Sequence, residues 1–133
     1  MRILMLATAI VGLCACATAS EPAQRSAQAQ REYDHLLAGK VAGTAQKCLP
    51  TYLSNDMTIV DDNTILFRNG RTVYVNHPLG GCNNLSQGGR ALVTKTSGGI
   101  GTCRGDIGQV MDLRSGTTVG SCVMGDFVPY TRP

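Results

Sequence analysis

One stretch decides the fold: TILFRNGRTVYVN, residues 64–76. Two runs rich in β-branched and aromatic residues, 64–68 and 72–76, flank the dipeptide Asn69-Gly70. This dipeptide tolerates the positive φ angles of a type I′ turn, which joins two antiparallel strands through two residues. The stretch therefore predicts a β-hairpin.

Further short runs of strand-forming residues lie on both sides of the hairpin. Upstream, residues 57–60 precede the turn cluster Asp61-Asp62-Asn63. Downstream, we predict strands at 91–96, 106–113 and 118–124, a turn at 114–116, and an edge segment at 127–130 that Pro129 ends. Short, regularly spaced strands with no helix between them are typical of antiparallel sheets. We expect an all-β fold with an N-terminal helix, built as a small antiparallel β-barrel or a curled meander sheet.

Residues 17–46 are predicted to form a helical tether or linker ahead of a disulfide-stapled β domain at 47–133. Pro22 suits the first turn of a helix and Gly39 suits its end, so we predict a helix over 22–38 and a linker over 39–43. The apolar stripe of this helix is narrow, with Ala29, Tyr33 and Leu36 at its centre. The helix is therefore expected to tether the domain or to lie lightly against it.

The first twenty residues have the pattern of an export signal. Arg2 is followed by the apolar run 3–13 and then by small residues, and the run is too short to span a bilayer. We assign residues 1–16 to the signal peptide, with cleavage either before Cys16 or after Ala19. The mature chain is therefore expected outside the cytoplasm.

The two cleavage sites predict different products. Leu13-Cys14-Ala15-Cys16 resembles a bacterial lipobox, which predicts that Cys16 is lipidated and anchors the chain on the periplasmic side of the outer membrane. Cleavage after Ala19 would instead release a soluble periplasmic or secreted protein. In the first case the lipid anchor is the chain's one expected contact with the membrane.

Four of the six cysteines lie after the signal: Cys48, Cys82, Cys103 and Cys122. An even number in a small exported domain indicates two disulfides, and the absence of a Cys-x-x-Cys pair argues against zinc. Four cysteines allow three pairings. We favour Cys82 with Cys103, which would close two glycine-rich loops, and Cys48 with Cys122, which would join the start of the domain to its end.

Charge and composition argue against several partners. The formal net charge is +3, the basic residues are scattered singly, and the chain has no Trp. Nucleic acid is therefore not an expected partner. The glycine clusters near residues 80 and 98 are not followed by a helix, and Asp61 and Asp62 fit a turn. We therefore expect no cofactor and no metal.

No catalytic residue can be assigned from the sequence. His35 and His77 have no evident partner, and Asp106 and Asp126 are expected to cap strand ends or to pair with Arg104. A small periplasmic hydrolase that uses Asp106 or His77 remains one hypothesis.

Several motifs resemble a family of small exported, four-cysteine proteins of alphaproteobacteria. They are residues 37–43, 48–50, 60–66, 103–107 and 125–130. The resemblance implies export and disulfides across nearly all of the mature chain, and it implies no activity.

The absence of a catalytic motif favours a binding function. Our leading hypothesis is a non-catalytic lipoprotein that binds another envelope component, most simply a protein. The alternative is a secreted or periplasmic enzyme inhibitor that presents loop 79–87 or loop 96–105. The candidate binding residues in these loops are Leu79, Gly80, Gly81, Asn83, Arg104 and Asp106.

Overall fold

The computed structural model describes residues 25–49, 56–96, 98–99 and 101–133. The predicted signal peptide, both cleavage sites, Cys16 and the predicted helix start at Pro22 lie outside these residues. Within them, one α-helix is followed by short β-strands, which confirms the predicted all-β class with an N-terminal helix.

Helix α1 spans Ala27–Leu37. Ser26 caps its N-terminus, because the Ser26 hydroxyl accepts a 3.2 Å hydrogen bond from the backbone N–H of Ala29. Gly39 follows the helix with φ +68°, a left-handed conformation that ends the helix as predicted. No helix in the described part of the chain is long and apolar enough to cross a membrane.

The strands form three antiparallel sheets. Their bounds are β1 Val41–Ala42, β2 Cys48–Leu49, β3 Met57–Asp61, β4 Thr64–Asn69, β5 Thr72–Asn76, β6 Arg90–Thr94, β7 Thr102–Cys103, β8 Ile107–Asp112, β9 Thr118–Val123 and β10 Phe127–Thr131. The sheet orders are β1-β10-β5-β4-β3, β2-β7 and β6-β8-β9. Among the described strands the sheets stay open, so of the two predicted arrangements the structure has the meander, β3-β4-β5, and not the barrel.

The central hairpin is present, but its turn lies one residue later than predicted. Asn69 pairs with Thr72, so Gly70 and Arg71 form the loop. Of these two residues only Gly70 has a positive φ, +58°. A glycine at the first loop position is the pattern of a type II′ turn, and the type I′ prediction was wrong.

Strand β10 is not the edge segment that was predicted. It lies between β5 and β1, because Val41 and Ala42, predicted as linker, form a strand beside it. Pro129 is accommodated because its carbonyl accepts a 2.7 Å hydrogen bond from the backbone N–H of Gly43. In a β-strand, the backbone nitrogen and carbonyl of one residue face the same side. The Pro129 nitrogen, which carries no hydrogen, therefore faces the short β1, and the hydrogen bonds between β10 and β5 are not affected.

Strand β4 is buried on both faces. Ile65 and Phe67 enter a core shared with the β6-β8-β9 sheet, where the Phe67 and Phe127 rings meet edge to face at 5.7 Å. Leu66 points the other way, into a second core beneath α1 that includes Ala29. The helix therefore packs on the sheet and completes its outer core.

The disulfides join Cys48 to Cys103 and Cys82 to Cys122. The number of bonds confirms the prediction, but the favoured pairing was wrong. Cys48 and Cys103 are directly opposite each other in the β2-β7 ladder, whereas Cys82 meets Cys122 inside the first core. The sequence pattern did not indicate β2 or β7, so it could not place Cys48 beside Cys103.

Candidate interaction surface

Three large apolar side chains lie side by side on the outer face of the β6-β8-β9 sheet. The backbone N–H of Leu79 donates a 2.8 Å hydrogen bond to the carbonyl of Val123, and Val123 is paired with Ile107. Antiparallel residues that are directly opposite point to the same face. Leu79 is 50% exposed, Val123 36% and Ile107 57%. We call these three residues the apolar row.

The strand register fixes the apolar row on the outside. Along β8, Gly108 and Val110 face the core, and so Ile107 faces water. A Cβ on Gly108 would lie 2.7 Å from Leu92 Cδ1, so the sheet packs closely at this point. A shift of one residue would move Ile107 inward only by exposing Val110. The exposure of Ile107 is therefore fixed by the strand register.

Further apolar and polar groups border the row. Val93, 40% exposed, is paired with Gln109 on the strand beside it. The backbone N–H of Lys95 donates to the Ile107 carbonyl at 3.4 Å, and the Lys95 side chain is exposed. The row thus has an apolar extension and a charged group at its edge.

The structure brings some of the predicted binding residues to this row. Leu79 belongs to it, and the turn that carries Arg104 and Asp106 lies next to it, because the backbone N–H of Met124 donates to the Asp106 carbonyl at 2.9 Å. Residues 79 and 104 come from different loops and lie on two sides of Val123. Ile107 and Val123 were not among the predicted binding residues, because they lie on strand faces and not in glycine-rich loops.

The two acids near this turn have the structural roles that were expected of them. The Asp106 carboxylate accepts a 2.8 Å hydrogen bond from the backbone N–H of Cys103, which caps the turn. Asp126 forms an ion pair with Arg104, with 2.9 Å between Oδ2 and NH1. Both side chains of this pair are well exposed to water, so the pair contributes little to stability.

The remaining predicted loop residues shape the loop at one end of the row. Gly80 and Gly81 both have positive φ, +77° and +76°, and a Cβ on Gly81 would lie 2.5 Å from Asn63 Oδ1. Asn83, an exposed residue of the same loop, lies beside β9, where its backbone carbonyl packs against Gly120. The positive φ favours glycine at 81, and a larger residue there would also have to displace the Asn63 side chain.

Asp62 holds this loop in place. Its carboxylate accepts hydrogen bonds from the backbone N–H groups of Asn84, at 3.2 Å, and Ser86, at 2.7 Å. Its backbone carbonyl accepts from the N–H of Cys82 at 2.6 Å. Asp62 was predicted as a turn residue, and no local sequence signal indicates that it reaches a loop more than twenty residues away.

The neighbouring Asp61 has a different partner. It pairs with Arg25, with 2.5 Å between Oδ2 and Nε, while a second Arg25 nitrogen donates to the Thr64 hydroxyl at 2.7 Å. The Arg25 guanidinium also lies 4.3 Å from the centre of the Tyr33 ring. Arg25 and Asp61 line a cleft of about 510 Å³ between α1 and the β3–β4 turn. Arg25 thus fastens the start of α1 to the sheet.

The candidate catalytic residues have separate partners. His77 Nδ1 lies 2.9 Å from the backbone carbonyl of Asn63, and His35 is exposed in the last turn of α1. Asp106 is occupied by the Cys103 amide. In the part of the chain that the structure describes, no three His, Cys, Asp or Glu side chains gather as a metal site.

The apolar row has the anatomy of a protein-binding surface, with apolar side chains at its centre and polar groups at its edge. Small ligands prefer concave pockets that cover most of their area, which an open sheet face does not provide. Comparisons of the chain with protein family models, curated proteins and solved structures found no match.

Proposed function

We propose that this chain is an exported, non-catalytic protein of the cell envelope whose apolar row binds another envelope protein. The observation that carries the proposal is the exposure of three neighbouring apolar side chains, Val123 and Ile107 on the outer sheet face and Leu79 in the loop bridged to it. Burial of apolar surface contributes about 25 cal/mol per Å², so a row of this kind gains free energy when a partner covers it.

The charges of the chain favour an acidic partner over a second copy. Without the leader and its Arg2 the formal net charge is +2, so two copies of the mature chain repel each other. Lys95 stands at the edge of the row, and no carboxylate among the described residues forms a salt bridge with it. The partner is therefore a protein with an apolar patch bordered by Asp or Glu.

The cysteines support export. Both pairs are oxidised and tie separate parts of a small fold together, which suits the periplasm or the exterior and not the cytosol. Cleavage of the leader before Cys16 and the lipid on Cys16 belong to the same proposal. They assign the chain to the periplasmic side of the outer membrane.

In-cell crosslinking tests the proposal. A photoreactive amino acid replaces Ile107 in one variant, Leu79 in a second and Leu113 in a control, and crosslinked products are identified by mass spectrometry. Leu113 is a matched control because it is also apolar and 67% exposed but does not belong to the row. We expect the same envelope protein from positions 107 and 79 and not from 113.

Two results would contradict the proposal. Equal products from all three positions would show that capture is nonspecific. A crosslink of the chain to its own copy, and to nothing else, would replace the acidic partner with a dimer.

A second candidate function, enzyme inhibition, is favoured by the rigidity of the loop over residues 79–87. The Cys82–Cys122 disulfide and the Asp62 hydrogen bonds hold this loop while Leu79 stays half exposed. A preorganised loop loses little entropy when it enters an active site. Stoichiometric inhibition of one enzyme in a panel of hydrolases, lost in Leu79→Asp and kept in Leu113→Asp, would support this function. If no enzyme in the panel is inhibited, the inhibitor function is dropped.

A further inference from the structure

Three cations that are far apart in the sequence meet at one end of the five-stranded sheet. Lys40 precedes β1, Arg71 lies in the β4–β5 turn, and Arg132 follows β10. All three line one cleft of about 620 Å³. We call these residues the cationic row.

The strand register accounts for the row. The β1–β10 ladder, continued by one residue past its last pair, places Lys40 opposite Arg132. The β10–β5 ladder, continued by two residues, places Arg132 opposite Arg71. Three like charges therefore lie beside one another at the ends of three adjacent strands. Like charges in neighbouring positions repel each other, which an anionic ligand would relieve.

No Asp or Glu side chain among the described residues forms an ion pair with the row. Their salt bridges join four other arginines to aspartates, and no carboxylate among them lies within 4.0 Å of Lys40, Arg71 or Arg132. Without the predicted leader, which contains Arg2, the chain has eleven Lys and Arg and nine Asp and Glu, which gives a formal net charge of +2. The three cations of the row therefore exceed the formal surplus of positive charge of the mature chain.

The C-terminus of α1 explains why a cation is favoured at position 40, but it does not explain the other two cations of the row. The Lys40 backbone N–H donates to the Leu37 carbonyl at 3.0 Å, which places Lys40 at the C-terminus of α1, where a cation is favoured. Arg71 and Arg132 have no such helix end nearby in the chain. The cleft also contains the hydroxyl-bearing residues Thr72 and Thr131. Guanidinium groups with hydroxyls beside them are a typical set of ligands for phosphate.

We infer that the cationic row binds the phosphate group of an anionic ligand. The phosphate belongs either to the headgroup of a phospholipid or to a soluble phosphate ester, and both present the same charged oxygens. This site is separate from the apolar row, which lies on another sheet, so the inference does not depend on the proposed protein partner.

The first measurement uses inorganic pyrophosphate as the probe. The oxidised, purified chain carries Cys16→Ser, which removes the predicted acceptor for lipid, and calorimetric titrations are made at low ionic strength. Neutralising the row with K40Q, R71Q and R132Q together should weaken binding at least tenfold. The control combines R31Q, K47Q and R114Q, which removes the same charge from three other exposed residues and should change the affinity less than twofold. Added salt should weaken binding to the parent chain.

The second measurement distinguishes the two sources of phosphate. Vesicles of phosphatidylcholine with and without 30% phosphatidylglycerol are sedimented with each variant. Retention on the anionic vesicles that is lost in the row variant assigns the site to a membrane headgroup. Pyrophosphate binding without retention on vesicles assigns it to a soluble phosphate ester.

Three outcomes would overturn the inference: no binding of either probe, equal binding by the parent and the row variant, or equal losses in the row and control variants. The variants should remain folded, since the row variant loses like-charge repulsion and its melting temperature should equal or exceed that of the parent. If the triple substitution nevertheless unfolds the chain, Arg71→Gln alone, in an exposed turn, should weaken pyrophosphate binding at least threefold. An unchanged affinity in that variant would also overturn the inference.

Discussion

The Asp62 carboxylate accepts a 2.7 Å hydrogen bond from the backbone N–H of Ser86, so a turn in the central meander holds a loop 24 residues farther along the chain. The same loop begins at Leu79, which is half exposed and pairs with β9. A residue that looks local in sequence thus fixes the position of one end of the apolar row.

Asp62→Ala should lower the free energy of unfolding by about 1–2 kcal/mol, because two backbone N–H groups lose a charged acceptor that water can only partly replace. Hydrogen exchange should accelerate at the amides of Asn84 and Ser86. Asp34→Ala, on the exposed face of α1, is the control and should leave both amides unchanged. Unchanged exchange in Asp62→Ala would show that the carboxylate does not hold the loop.

Removing the Cys82–Cys122 disulfide by a double Cys→Ala substitution should lower the free energy of unfolding by about 4 kcal/mol in the chain-entropy estimate, since it releases a closed loop of about 40 residues. Denaturant titration measures this. The Cys48–Cys103 double variant should lose a similar amount from chain entropy, but Cys82 and Cys122 also fill the core, so their removal should cost more.

Peptide mapping without reduction checks the pairing directly. The expected products are a peptide linking Cys48 to Cys103 and one linking Cys82 to Cys122. A peptide linking Cys82 to Cys103 would contradict the structure and restore the pairing that the loop argument favoured.

Asn76→Ala should destabilise the fold by about 2–3 kcal/mol. The Asn76 side chain is fully buried, and its amide donates to the Gly125 carbonyl at 2.8 Å and accepts from the Gly125 N–H at 3.3 Å. Truncation leaves both backbone groups buried and unpaired. The melting temperatures of Asn76→Ala and Asn83→Ala measure this effect. Asn83 is the control because it is exposed. Equal melting temperatures would show that the buried amide is dispensable.

The stability of the fold should depend on the charge of Asp112. Hydrogen bonds from the backbone N–H groups of Arg114 and Ser115 lower the pKa of this carboxyl, with a further contribution from Arg90. A pKa that is lower in the folded state means that the carboxylate stabilises the fold above the unfolded pKa, near 4, and that this contribution is lost as the pH falls through the folded value.

Asp112→Asn tests this dependence. Urea titrations of the parent chain and the variant should differ most above pH 5 and converge as the pH falls toward 2. A difference that stays constant over this range would mean that the lowered pKa is not linked to folding.

The local parts of the fold could be predicted from the sequence, and the parts that depend on distant pairs could not. The hairpin at residues 64–76 was found because its strands and turn are adjacent, and even there the turn was misplaced by one residue. Strands β2 and β7 have two residues each, too few for a periodic signal. These two strands form because residues 55 positions apart in the sequence come together. The predicted disulfide pairing was wrong because a contact over this distance leaves no local sequence signal.

The residues of the two candidate surfaces could likewise be predicted only where the signal is local in the sequence. Leu79 and Arg104 were chosen because they lie in glycine-rich loops, but Ile107 and Val123 belong to the surface only because β8 and β9 are paired in one register. The alternation along residues 107–110 could have indicated an outward-facing Ile107. The cations at 40, 71 and 132 looked scattered because nothing in a single sequence measures distance across three strands.

The packing of α1 on β4 limits how far the fold can stand from a membrane. Because the helix completes a core and Arg25 pairs with Asp61, residue 25 belongs to the folded domain. With lipid on Cys16, as we propose, nine peptide units join the lipidated residue to Arg25, and they can span at most about 30 Å. The domain would then stay within roughly its own diameter of the bilayer, and its partners would have to be found in that thin layer.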